Sequence, residues 1–237
     1  MGVGPQTGAG WNHQHRDVSG GKLRPIVFGA VDGLVTNGSL IAGVGGSGLG
    51  RTALILTGLA GLVAGAVSMA TGEYISVANQ NELVAAEAAV ERDRHVRFPD
   101  AELTELTDVF LGYGVEPAAA VHVAQAINRD PDVALRFHMR EELGIDPSAL
   151  PSPLVAAAAS LVSCALGGLI PLLPFLLGST SLALALGIVA VALFLGGEVV
   201  GRVTGRRPFA AGLRQLALGV LAMGVAYGTG RIAGSAA

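Results

Sequence analysis

The chain has 237 residues, 51% of them hydrophobic and only 14% charged, with 35 glycines and a mean hydropathy of +0.57, which excludes an ordinary soluble domain and marks an integral membrane protein. A net charge of −3 gives no overall attraction to nucleic acid, and a single cysteine, Cys164, excludes an intrachain disulfide. The expected fold class is all-α: a polytopic membrane protein with five transmembrane helices and a cytoplasmic helical insert between the second and third.

Residues 1–21 are rich in glycine and polar side chains without periodicity and read as a mobile tail. His13 and His15 in it could hold a metal, although two histidines on such a segment more often do nothing specific. Lys22 and Arg24 precede an apolar run, but that run contains Asp32 and ends in GVGGSGLG without a cleavage site, so it is not a signal peptide. Pro25–Gly50 carries the single charge of Asp32 and forms a first span. Thr52–Gly72 is uncharged and forms a second, whose helical pattern runs on past Glu73, so this helix should project from the membrane.

From Glu82 to Asp146 acidic residues, arginines and histidines replace the apolar sequence, which makes a water-soluble insert. Its punctuation predicts helices through about Val96, from Pro99 or Asp100 to Tyr113, from Glu116 to Asn128 and from Asp130 to Leu143, with prolines at the starts and glycines at the stops. Ser148 to Gly197 contains no charge and forms the third and fourth spans, with a turn at Gly178-Ser179-Thr180 and Pro171 and Pro174 kinking the third. Arg202, Arg206 and Arg207 then precede the fifth span, Phe209–Gly230, in which Arg214 must snorkel or face a neighbour. The expected organisation is a tail (1–21), spans one and two (22–81), the insert (82–147) and spans three to five (148–237). Basic residues gather before span one, after span two and between spans four and five, so the amino terminus and insert should be cytoplasmic and the C-terminus outside.

Three groups of residues could carry chemistry. Asp32 lies within a span, where an aspartate costs about 2.5–3.5 kcal/mol; it points to an ion pathway, against the alternative of a paired or solvated carboxylate near the interface. In GAVSMATGEYISVANQ, Met69, Glu73, Ser76 and Gln80 recur at i, i+4, i+7 and i+11 and make one polar stripe, while Gly61, Gly65, Ser68 and Gly72 make a small-residue seam that lets two membrane helices approach. Met69 is core filler in most helices, and Glu73 could be a solvated helix end. Together, a soft sulfur beside a hard oxygen suits a borderline divalent transition metal better than Mg²⁺ or Ca²⁺. In the insert, Glu102 and Glu105 lie one turn apart, as do Met139 and Glu142, and His138 and Glu142 are at i, i+4. Each pair could bind a metal or be a solvated face; converging carboxylates would need cations or protons between them. Neither an HExxH zinc motif nor the Glu-x-x-His pair of di-iron proteins occurs, so no enzyme is expected.

The segments VFGAVDGLVTNGSL, GAVSMATGEYISVANQ, ELTEL, HMREELGI and PSPLVAAAASLVSCALGGLIPLLP closely resemble the vacuolar iron transporter family, including its bacterial members, over nearly everything from Arg24 to Ile232. The resemblance implies a five-span homodimer in the lipid bilayer that exports cytosolic Fe²⁺, and often Mn²⁺, in exchange for protons, with a cytoplasmic metal-binding insert and no prosthetic group. It implies the cell membrane of a bacterium as the location. Asp32 and Met69 match the family's residues along the path between the subunits, and Glu73 lies in the same signature. Glu91, Glu102, Glu105, Met139 and Glu142 match its metal-ligand positions. Arg94 stands where the family has a glutamate, and His138-Met139 where it has two methionines. Arg94 removes an oxygen ligand and adds a positive charge, and His138 can replace a sulfur with an imidazole, so the insert is expected to hold fewer ions. The competing readings are a membrane-anchored metal buffer or sensor, and a ferroxidase built on the insert.

Overall fold

The computed structural model describes residues 23–147 and 149–236, with the side chains at positions 23, 142 and 143 left out. The tail with His13 and His15, and the side chain of Glu142, therefore lie outside the described residues. All regular structure among those residues is helical, as the glycine- and alanine-rich apolar runs require in a medium with no water to satisfy the backbone.

Among the described residues five helices are long and apolar enough to cross a membrane. Helix α1 spans Leu23–Gly46 and α2 spans Arg51–Arg97. At 47 residues, α2 is about 70 Å long, more than twice the roughly 30 Å of a bilayer's hydrocarbon core, so its second half must stand outside. The acidic segment follows as α3 (Pro99–Gly112), α4 (Pro117–Asn128) and α5 (Pro131–Leu143). Each begins on the proline that the sequence marks, where a missing N–H costs nothing. The side chain of Asp130 caps α5 by accepting from the amides of Asp132 and Val133 at 2.9 and 3.3 Å. Gly144 ends α5 with φ +65, a left-handed conformation that favours glycine.

The third span, Pro153–Leu176, is not one regular helix. Helix α6 (Pro153–Leu169) gives way to a 3₁₀ turn over Ile170–Leu172 and then to the short α7 (Leu173–Leu176). Pro171 has no N–H for the carbonyl four residues back, so the chain tightens, and the Ile170 amide donates to the Gly167 carbonyl instead. Asn37 of α1, which is 2% exposed, donates its side-chain amide to the Gly168 carbonyl at this break. The kink thus comes from proline chemistry and is held by a neighbouring helix. Helices α8 (Leu182–Val203) and α9 (Pro208–Ala236) complete the chain. The last span is longer than the expected Phe209–Gly230, because its glycines and Arg231 continue the helix.

Helix α1 is the central element and packs on α2, α6, α8 and α9. Leu34 and Ala42 meet Val189, Leu193 and Met223 on one side, and Ile41 meets Leu54, Leu172, Phe175 and Ala185 on the other. The α1–α6 contact depends on missing side chains: a Cβ at Gly33 would lie 2.8 Å from the Gly168 amide nitrogen, and one at Gly29 would lie 2.9 Å from the Ser160 carbonyl oxygen. Without a hydrophobic driving force between helices in lipid, such backbone approach is what makes them adhere. At one end of the bundle, Arg51 donates through Nε to the Phe175 carbonyl at 2.8 Å, which ties the α1–α2 turn to the Gly178 turn. Beyond the bundle, Val84 and Ala88 of α2 bury against Leu135 and Met139 of α5, so the projecting half of α2 is the spine of the insert.

Candidate metal centres

The first site lies on α1 and α2. Phe28, Asp32 and Thr36 recur every four residues along α1, and Gly65, Ser68, Met69, Gly72 and Glu73 share one face of α2; together they line an open cleft of about 440 Å³. A Cβ at Gly65 or Gly72 would meet nothing within 4 Å, whereas one at Gly61 would lie 3.0 Å from Asn37 Oδ1 of α1, so the small-residue seam packs inside the chain at Gly61 and is bare at Gly65 and Gly72. Asp32 is half-buried, and its Oδ1 lies 3.5 Å from the Thr36 hydroxyl, which donates to it. Among the described residues no lysine or arginine lines the cleft. Two carboxylates, a thioether and two hydroxyls therefore face one space on otherwise apolar helices with no basic side chain among the described lining residues, an arrangement that a mobile cation or protons can neutralise. Ser76 and Gln80, further along the stripe, are exposed and lie beyond the cleft.

The second site is at the far end of α2. Glu91, His95, Glu102 and His138 each offer a ligand atom, all within 4.8 Å of one another. Glu91 and His95 sit one turn apart on α2, Glu102 comes from the first turn of α3 and His138 from the middle of α5. The helix ends are brought together because Leu106 of α3 and Leu135 and Met139 of α5 are buried beside these polar residues. Glu102 is 1% exposed and Glu91 6%, unusual burial for carboxylates. Glu91 Oε1 lies 3.4 Å from His95 Nδ1 and 3.5 Å from His138 Nδ1. Glu102 Oε2 lies 3.8 Å from each of the same nitrogens. The two rings meet edge to face with centroids 4.7 Å apart. His95 Nδ1 is also 3.0 Å from the Glu91 carbonyl oxygen, while its Nε2 and both oxygens of Glu102 are buried without a hydrogen-bond partner.

Arg94 closes the other side of this cluster. Its Nε is 3.1 Å from Glu102, its Nη1 3.5 Å from Glu91 and its Nη2 3.0 Å from Glu105. Glu102 above all, with Glu91 and Glu105 adding to it and burial opposing, holds the guanidinium above its ordinary pKa. Glu105 is thus placed on the arginine, at the half-exposed rim. Met139 is 2% exposed and packs with Val84, Ala88 and Leu135. His95 is the member of the cluster that the sequence reading passes over. Its signal is the i, i+4 spacing from Glu91, masked by the run of arginines around it that reads as an ordinary basic helix end.

These geometries stand beside a clear kinship. A family model described as the VIT family matches residues 23–231. The chain belongs to the VIT family. The VIT-family relatives include vacuolar iron transporter 1 of Oryza sativa subsp. japonica, 32% identical over 223 residues that cover 92% of this chain and 88% of that protein. Vacuolar iron transporter 1 of Arabidopsis thaliana is 30% identical over 220 residues, covering 91% and 88%. The vacuolar iron transporter of Toxoplasma gondii is 28% identical over 233 residues, covering 92% and 76%. As a VIT-family chain with five spanning helices, the protein is a multi-pass membrane protein of a transporter family and not an enzyme.

Proposed function

We propose that the chain is a homodimeric, proton-coupled transporter that moves Fe²⁺, and Mn²⁺ beside it, out of the cytosol. The observation that carries this reading is the cleft of Asp32, Met69 and Glu73, since ionisable residues that share a cleft between membrane helices mark ion pathways. A protein that only stored metal would need the insert and not this cleft. Iron as cargo is supported by the names of the relatives. Residues 82–147 then act as a cytoplasmic metal-collecting insert, because α2 carries its cluster away from the span on the side of the basic Arg202–Arg207 loop.

In this mechanism the insert gathers cytosolic metal, and the ion passes to Met69 and Asp32. Protons entering from the opposite side then take the carboxylate oxygens and release the ion outward, because proton and metal compete for the same lone pairs. In the cell membrane of a bacterium that direction is efflux. The test is metal uptake into proteoliposomes across several divalent ions: Fe²⁺ accumulation in the lumen supports transport, and binding without flux leaves a metal buffer.

A second copy completes the path, because the bare seam of Gly65, Ser68 and Gly72 can pack against itself across a two-fold axis. Ser68→Cys is expected to cross-link two copies under mild oxidation, since the only other thiol, Cys164, is buried. A chain that stays wholly monomeric on denaturing gels, with the new thiol titratable, would remove the dimer from this reading.

A further inference from the structure

We infer that Asn37 is the ion's next ligand beyond Asp32, a neutral oxygen at a constriction closed by Leu40 over Gly61, which passes an ion only after it has shed its water. The inference rests on the reading of the cleft as an ion path and adds to it the barrier at the end away from the insert.

Helices α1 and α2 are joined by a short turn and run antiparallel. Along the cleft this sets Phe28 beside Glu73, Asp32 beside Met69 and Thr36 beside Gly65, one helical turn at a time. A turn further the same register brings Leu40 to Gly61, and the two are in contact: a Cβ at Gly61 would run into Leu40 Cδ1. There the open cleft of about 440 Å³ gives way to a cavity of about 10 Å³, in which Thr36 and Gly65 are joined by Asn37 and Gly61. That is the room of about one water molecule, too little for an ion with its hydration shell.

Asn37 aims an oxygen into this space. Its side-chain amide donates through Nδ2 to the Gly168 carbonyl at the break of the third span, which fixes the amide's direction, because the reverse orientation would set two oxygens against each other. Oδ1 therefore faces Gly61, 3.0 Å from where a Cβ there would lie. It is buried without a hydrogen-bond partner among the described residues, a costly state for an acceptor. An arriving ion relieves that cost, with Oδ1 replacing one of the waters it has lost and the Thr36 hydroxyl oxygen beside it as a second ligand. The amide is uncharged, so it holds the ion more weakly than Asp32 does, as onward release requires. Mg²⁺ gives up its waters reluctantly, so a passage this narrow rejects it more strongly than Fe²⁺.

The experiment measures Fe²⁺ and Mg²⁺ flux into proteoliposomes of the full chain, and Fe²⁺ affinity of the same preparations in detergent. Asn37→Leu, similar in volume but without the oxygen, is expected to carry Fe²⁺ about tenfold more slowly at unchanged affinity, since Asp32 and Met69 are untouched. That variant also loses the tie to Gly168, so Gly61→Ala tests the point should it not fold. Gly61→Ala keeps the tie, presses its methyl on Oδ1 and the movable end of Leu40, and is expected to slow Fe²⁺ to a similar extent, again at unchanged affinity. Leu40→Ala widens the passage and is expected to raise Mg²⁺ flux several-fold relative to Fe²⁺, a change that a merely structural role would not produce. If the parent chain transports Fe²⁺ and Gly61→Ala matches its rate, or Leu40→Ala excludes Mg²⁺ as well as the parent does, the constriction is overturned and the transport reading stands. Parent flux in a folded Asn37→Leu removes Asn37 as a ligand. If the parent carries no Fe²⁺, the transport reading falls and this inference with it.

Discussion

Asp32→Asn is expected to abolish Fe²⁺ transport while leaving the helical fold intact. Asparagine keeps the shape of the side chain and its contact with the Thr36 hydroxyl, so packing in α1 is unaffected. What it removes is the negative charge that attracts a cation into the cleft and the oxygen that exchanges that cation for a proton. The loss should exceed the roughly 10–100-fold that removal of an outer-shell partner costs a metal site, because here the ligand itself is neutralised. The check is Fe²⁺ flux in proteoliposomes beside circular dichroism and size-exclusion profiles of the same preparation. Proton-coupled transport at the parent rate would exclude Asp32 from the path.

Met69→Leu is expected to weaken Fe²⁺ transport several-fold and to reduce discrimination against Mg²⁺ and Ca²⁺, at near-normal expression. Thioether sulfur is soft and uncharged, so it contributes little attraction but shifts preference toward Fe²⁺ or Co²⁺. Leucine is close to methionine in volume, and such swaps cost less than about 1.5 kcal/mol even in packed cores; Met69 is only half-buried on the open cleft. A defect therefore reports a lost ligand. Competition assays with Fe²⁺ against the two hard ions decide it, and unchanged rate and selectivity would make Met69 packing alone.

How legible these sites are in the sequence follows from how local their causes are. Pro99, Pro117 and Pro131 open α3, α4 and α5, and Gly114 and Gly144 carry φ of +80 and +65, so the helices of the acidic segment can be read from single residues. The cleft is legible for a similar reason: Met69 and Glu73 share one helix, and Asp32 is conspicuous in an apolar run. The insert cluster is not local. It joins α2, α3 and α5, and the sequence groups Glu102 with Glu105 and His138 with Glu142 because those spacings fit one helix face. In space Glu102 turns inward to His95 and His138, and Glu105 stays on Arg94 at the rim. Arg94 itself stands out in the sequence as a foreign charge, but that it touches three carboxylates from two helices is visible only once α2 and α3 are folded against each other. The same holds for Asn37, whose partner carbonyl lies 131 residues away at the Pro171 break.

The central claim is that metal leaves as protons enter through one shared set of carboxylates. It is tested most directly by following Fe²⁺ and lumenal pH together in proteoliposomes of the full chain, with and without an imposed pH gradient. The account predicts that an acidic lumen drives Fe²⁺ inward, that the lumen becomes more alkaline in step with the metal, and that both fluxes vanish together in Asp32→Asn. Fe²⁺ entry at the same rate without a gradient, and with no change in lumenal pH, would contradict it.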